Sequence, residues 1–306
     1  MKIYILHRII YFIPTGWLLT SIVFFGIHFS PGDPASITLG LYASDETIAA
    51  LRQELGLDKN IFYQYFDFLG KLVQGDLGKS YHNETAVIEL IITAFLPTII
   101  LVSVSLSFAV IIGGLIGTIS AVYENTFIDS FARVLAVVGV SVPIFWAAIM
   151  FIIFFSVFLN WLPVAGFGTV SHLVLPALAL SGQSMAFVAR LFRSNLIEEK
   201  RQDYVRTARS KGISEKRIWI HHIFRNSLLS IVTLIGIRFG TLIGGAVIVE
   251  NVFAWPGLGS LILTAVNSRD YPVILGSVIW IAILVMIVNL IVDILYTVLD
   301  PKIGYK

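Results

Sequence analysis

From Val134 to Ala189 the chain runs 56 residues without an Asp, Glu, Lys or Arg. A soluble domain has no place for such an interval, because roughly a quarter of its residues are charged. Lipid has a place for it, since a helix of about 20 apolar residues crosses the hydrocarbon core. The interval is too long for one helix. Asn160, Trp161, Leu162 and Pro163, followed by Gly166 and Gly168, break it into spans near 134–159 and 173–191. Composition agrees: 57% of residues are hydrophobic, 13% are charged and the mean hydropathy is +0.87. The fold class expected is all-α, a polytopic membrane protein whose solvent is mainly the lipid bilayer.

The remaining spans follow from the same rule. The first, Ile9–Phe29, comes after Lys2 and Arg8. A signal peptide shares that pattern, but its apolar core is shorter and a small-residue cleavage site follows; here Pro31-Gly32-Asp33-Pro34 stops the helix, which reads as an anchor. Residues 90–123 carry no charge and form the second span, 228–249 the fifth and 274–298 the sixth. Pro143, after Ser141, predicts a kink in the third. Six spans place both termini on one side. With that side cytoplasmic, fifteen of the 21 Lys and Arg lie inside, five lie in external loops and one, Arg238, within a span. The opposite orientation breaks the positive-inside bias.

Residues 30–93 then face outward, with nine Asp and Glu against four Lys and Arg. Ser44 has the chemistry of an N-cap, Asp45 and Glu46 suit the first turn, and Gly56 suits the C′ position. A second amphipathic stretch aligns Phe62, Tyr65, Phe66 and Leu69. The segment is expected to be a small helical subdomain lying on the membrane. The division expected is 1–29 as start and first span, 30–93 as external subdomain, and 94–306 as a five-span core. Within 30–93, Gly75–Ser80 reads GDLGKS and imitates the end of a phosphate-binding loop. The full pattern needs glycine at position 73, which is Val73. Nucleotide binding is not expected there.

The long polar interval of the second half is cytoplasmic, spanning 193–227. From Arg190 to Arg225 it holds ten Lys and Arg against four Asp and Glu. Asp203 is placed to cap a short helix through Tyr204, Arg206, Thr207, Ala208 and Lys211, which Gly212 ends. Ser214 caps the next helix, which feeds the fifth span. Such a helix–glycine–helix unit, with small residues such as Ala208, suits a cleft on a partner protein. An ordinary basic loop that only sets topology has the same composition.

Polar residues inside spans are the other candidates. Ser141, Gln183, Arg238, Asn289 and Asp293 are the candidate lining of a pathway. Asn289 and Asp293 share a face at i, i+4, and Arg238 either meets an anionic substrate or pairs with Asp293. Small residues at Ser181-Gly182-Gln183-Ser184 serve close packing or a pore equally well. Gly236, Gly240 and Gly244 form a stripe for helix contact. Glu250 is placed at the watery outer end of the fifth span. Cysteine is absent, which excludes disulfides, thiolate catalysis and cysteine-ligated metals.

The ordered motifs resemble the permease subunits of bacterial ABC importers, in the dipeptide/oligopeptide/nickel family. The resemblance rests on DYVRTARSKG (203–212) with Arg225-Asn226, GGAVIVENVFAWPGLG (244–259), RDYP (269–272), NLIVDILYTVLDP (289–301), PGDP (31–34) and GDLGKS, and covers essentially the whole chain. Two positions depart from the broader importer signature: Arg206 stands where Glu is general, and Arg225 where many importers have proline. The resemblance implies a type I importer-like permease fold in the cell membrane. It implies a second homologous permease, two cytoplasmic ATP-binding subunits docking on Asp203–Gly212, and an external substrate-binding protein. Cargo would be peptides, nickel or metal chelates. No catalysis, cofactor, resident metal or nucleic acid is implied.

Two rival classes fit less well. An ion-coupled secondary transporter uses intramembrane carboxylates and often internal repeats, and Asp293 is the sole carboxylate well inside a span. An intramembrane hydrolase needs a nucleophile–base pair or a histidine metal site among the spans. His28 and His172 lie near membrane edges, and His221 and His222 lie in the loop.

Overall fold

The computed structural model describes residues 2–29, 32–39 and 43–299, and its regular elements there are helices, with one antiparallel bridge between Lys79 and Ala86. They are α1 (Lys2–His28), α2 (Pro34–Leu39), α3 (Asp45–Glu54), α4 (Ile61–Val73), α5 (Val87–Val122), α6 (Phe127–Ser141) and α7 (Ile144–Phe151). Then come α8 (Val170–Lys200), α9 (Asp203–Ser210), α10 (Glu215–Ile218), α11 (Arg225–Val252), α12 (Leu258–Ser268) and α13 (Tyr271–Leu299). Five of these helices hold a stretch long and apolar enough to cross a membrane, and a bent pair brings the number to six.

The bent pair is the expected third span. Pro143 does more than kink it: the segments Phe127–Ser141 and Ile144–Phe158 meet at 104°. Proline has no N–H to donate and its ring collides with the preceding turn. Val142 before it is accordingly extended, at ψ 123°. Residues Ile152–Phe158 continue α7 in wider π-helical turns.

The chain forms two compact units. Among the described residues the first comprises 2–5, 99–255 and 287–299. Its centre is α8, the most enclosed of the candidate spans. Close approach of α5 to α8 depends on two glycines one turn apart. A Cβ on Gly113 would lie 2.5 Å from the Met185 carbonyl oxygen, and one on Gly117 would lie 2.6 Å from that of Ala189. Of the glycine stripe expected on α11, Gly236 makes a close contact and Gly244 does not. A Cβ on Gly236 would sit 2.9 Å from Val292, whereas Gly244 faces open space and Gly245 takes the contact with Leu180 and Ile144. Glu250 is also misplaced by the sequence reading, for it is fully buried. The chain folds back over the end of α11, with Trp255 N–H donating to the Glu250 carbonyl and Gly166 N–H to that of Phe253.

The second unit comprises residues 6–98 and 256–286. Its local caps follow the sequence. Ser44 Oγ accepts from Thr47 N–H at the start of α3, and Gly56, at φ +70°, closes it. On α4 Tyr65 is buried against Phe24 of α1, with Ile61, Phe68 and Leu69 half-buried beside it. Phe62 and Phe66, expected on the same side, are exposed. The GDLGKS segment is architectural: Ser80 Oγ donates to Asp270 Oδ2 at 2.5 Å and Tyr81 N–H to Oδ1 at 3.2 Å. Asp270 belongs to RDYP. The neighbouring Arg269 closes on Gly32 of PGDP, whose Cβ would meet its guanidinium at 3.1 Å. Three separated motifs therefore meet in one unit.

Candidate functional site

The 193–227 segment is a helix, a glycine turn and a second helix. Gln202 is the N-cap residue of α9, and Asp203, expected as the cap, is the first helical residue, where its charge still suits the dipole. Gly212 takes the left-handed conformation, φ +74°. Its N–H donates to the Arg209 carbonyl at 2.9 Å, and Ile213 N–H reaches that of Ala208 at 3.2 Å. These two bonds form a Schellman motif, which glycine terminates without Cβ strain. Ser214 is the N-cap residue of α10.

Helix α9 has two faces. Val205 and Ala208 are buried with Phe192 and Leu196 of α8, Ile218 of α10 and Ile231 of α11. Ala208 therefore seats α9 on its own chain. Asp203, Tyr204, Arg206, Thr207, Lys211 and Gly212 are exposed. The spacing of Val205 and Ala208 at i, i+3 is the signal that separates these faces.

Polar links lock the unit to the spans. The Tyr204 hydroxyl donates to the Glu199 carboxylate and accepts from Asn226 Nδ2 at 3.0 Å, joining α8, α9 and α11. Partial burial, and then the bond to Glu199, push the Tyr204 hydroxyl above its ordinary pKa. Arg209 pairs with Glu215 across the glycine turn at 2.6 Å and holds that carboxyl below its usual range. Glu124 pairs with Lys200 at 3.2 Å and Arg201 at 2.9 Å. Burial would raise Glu124, but the two cations outweigh it and depress it. Asp129 is fully buried and accepts from Ser120 Oγ, Asn125 N–H and both Nε and Nη2 of Arg193. The sequence reading did not single it out. Its signal is an acid in the first turn of α6, nine residues after Ser120.

The intramembrane candidates are only partly gathered. Ser141 is exposed and its hydroxyl donates back to the Val137 carbonyl at 2.9 Å. Gln183 Nε2 reaches the Val142 carbonyl at the α6–α7 break, at 3.5 Å. Arg238 lies over the Phe187 ring, its Cζ 3.6 Å from the centroid. Asn289 is exposed on α13, and the side chain of Asp293 lies outside the described residues. The helix–turn–helix thus bridges the adjoining ends of α8 and α11 through Glu199, Tyr204 and Asn226.

Residues 113–305 match the family described as the binding-protein-dependent transport system inner membrane component, and residues 1–103 match its N-terminal membrane component. The chain belongs to this family. It is the inner-membrane permease subunit of an ABC importer, a transport component and not an enzyme, working with an ATPase and a substrate-binding protein. The permease is similar to the glutathione transport system permease protein GsiC of Escherichia coli strain K12, at 39% identity over 303 residues and 99% of each chain. The corresponding protein of Pectobacterium atrosepticum is 41% identical over the same share. Among solved structures, the MetNI methionine ABC transporter in its inward facing conformation matches with a TM-score of 0.58 and 19% identity, over 69% of this chain and 96% of that one. An amino acid ABC transporter with histidines matches at a TM-score of 0.53 and 17% identity, over 70% and 94%. These two carry the fold alone.

Proposed function

We propose that this permease forms one half of a translocation pathway for small peptides, glutathione-like tripeptides among them, opened and closed by ATPases that dock on the exposed face of α9. A second, homologous permease supplies the other half, two ATP-binding subunits sit below, and an external binding protein delivers cargo. The observation that carries the docking reading is the division of α9: one face is buried against α8, α10 and α11, and the other is exposed. A partner gripping Arg206, Thr207 and Lys211 would move two spans together, because Tyr204 and Asn226 tie their ends. Alternating access then follows from rigid-body motion. The cargo reading is supported by the glutathione permeases that the chain resembles end to end.

The test is purification from the native host in mild detergent, followed by reconstitution with internal ATP. Co-purification of a second permease and ATPases, with ATP-dependent uptake of labelled tripeptide, is the expected result. Uptake by this chain alone without ATP would point to the ion-coupled class instead.

A further inference from the structure

We infer that Arg238 and Phe187 form a carboxylate station within the membrane, which makes the permease select anionic over neutral peptides; this rests on the peptide-importer reading above. Three observations meet here. The first is the Arg238 guanidinium itself, in the middle of α11, with its Cζ over the Phe187 ring at 3.6 Å from the centroid. The ring attracts the cation but offers its N–H donors no lone-pair acceptor, so they still suit a planar one.

The second is an unmet donor on that guanidinium. Arg238 Nε is buried without a hydrogen-bond partner, and among the described residues no carboxylate pairs with Arg238. A guanidinium inside a span with an unused donor is costly, and such groups in spans mark substrate or ion paths. The third is the seam in which it lies. Gln183, Phe187, Arg190 and Ser194 fall on one face of α8 at i, i+4, i+7 and i+11, and exposure rises from Gln183 and Phe187 to Arg190 and Ser194. Arg190 approaches the same ring, at 5.4 Å. Two guanidiniums around one aromatic ring, on the open face of the most enclosed span, make a locally positive, weakly hydrated patch. A peptide carboxylate meets bidentate donors there that a carboxamide cannot replace.

The test uses the complete importer in proteoliposomes, with its partner permease, ATPases and binding protein, and two probes, Glu-Ala-Ala and Gln-Ala-Ala, both amidated at the C-terminus so that the Glu side chain is the only carboxylate between them. Because the binding protein is the same throughout, a change in the uptake ratio between variants reports the permease. Arg238→Gln is expected to lower the Glu-to-Gln uptake ratio about tenfold, as loss of a charge-assisted contact does, while Gln-Ala-Ala uptake persists. Arg238→Lys keeps part of the preference, and Phe187→Leu weakens it. An unchanged ratio in Arg238→Gln overturns the station. Equal loss of both peptides, restored by adding Asp293→Asn, also overturns it, because the charge would then serve only internal balance. Wild-type uptake that ignores ATP overturns the importer reading separately, since the ratio can still be measured.

Discussion

Arg193 meets Asp129 through two parallel hydrogen bonds, Nε to Oδ1 at 2.6 Å and Nη2 to Oδ2 at 2.7 Å. The pair ties the start of α6 to the last third of α8. Asp129 is fully buried while the Arg193 side chain keeps 21% of its surface in contact with solvent, so the arginine is only partly desolvated. Removing one partner of such a pair leaves the other uncompensated. Asp129→Asn is expected to destabilise the detergent-solubilised chain by about 2–4 kcal/mol, somewhat less than for a wholly buried pair. The double variant with Arg193→Gln should recover part of this. Thermal melts of the four proteins in the cycle check it, and strict additivity would show that the two residues do not act as a pair.

The glycine contacts separate sequence from structure in one experiment. A Cβ on Gly117 has only 2.6 Å to the Ala189 carbonyl, and backbone cannot move aside. Gly117→Ala should therefore destabilise by about 1–3 kcal/mol, the range for overpacking. Gly244→Ala meets nothing within 4 Å and gains helix propensity. The isolated chain should melt at the same temperature or slightly higher.

Between α4 and α5, the lookalike phosphate motif yields a contrast between neighbours. Asp270→Ala removes the acceptor of both Ser80 Oγ and Tyr81 N–H, which are left in a buried setting. A loss of about 1–3 kcal/mol is expected from orphaning such donors, seen as faster proteolysis within residues 75–86. Lys79→Ala should leave ATP-driven uptake unchanged. A large loss of nucleotide-dependent transport in Lys79→Ala would reinstate the segment as a phosphate site.

Much of this was legible in the chain itself, and what was legible was local or coarse. Spans are set by uncharged length. Caps at Ser44, Gly56 and Gly212 are set by chemistry within four residues, and each stands where that chemistry puts it. The bend at Pro143 was legible in place but not in size. What was not legible depends on which helix lies opposite. Gly113 and Gly117 matter because α8 presents carbonyls there, and Gly244 does not because open space faces it. Ala208 turned out to face inward, and Glu250 lies under a returning chain. Arg238 found an aromatic ring one helix away, a pairing no spacing rule encodes.

The coupling role of α9 admits a direct measurement, because the chain contains no cysteine and any introduced thiol is unique. Thr207→Cys places one on the exposed face of α9, and Thr47→Cys places a control on the exposed surface of α3. Maleimide labelling of each would be timed in the purified permease, with and without its ATPase subunits. The expected result is strong protection of Thr207→Cys by the ATPases and none of Thr47→Cys. Equal labelling of Thr207→Cys in both preparations, with ATP-driven uptake intact, would contradict docking on α9.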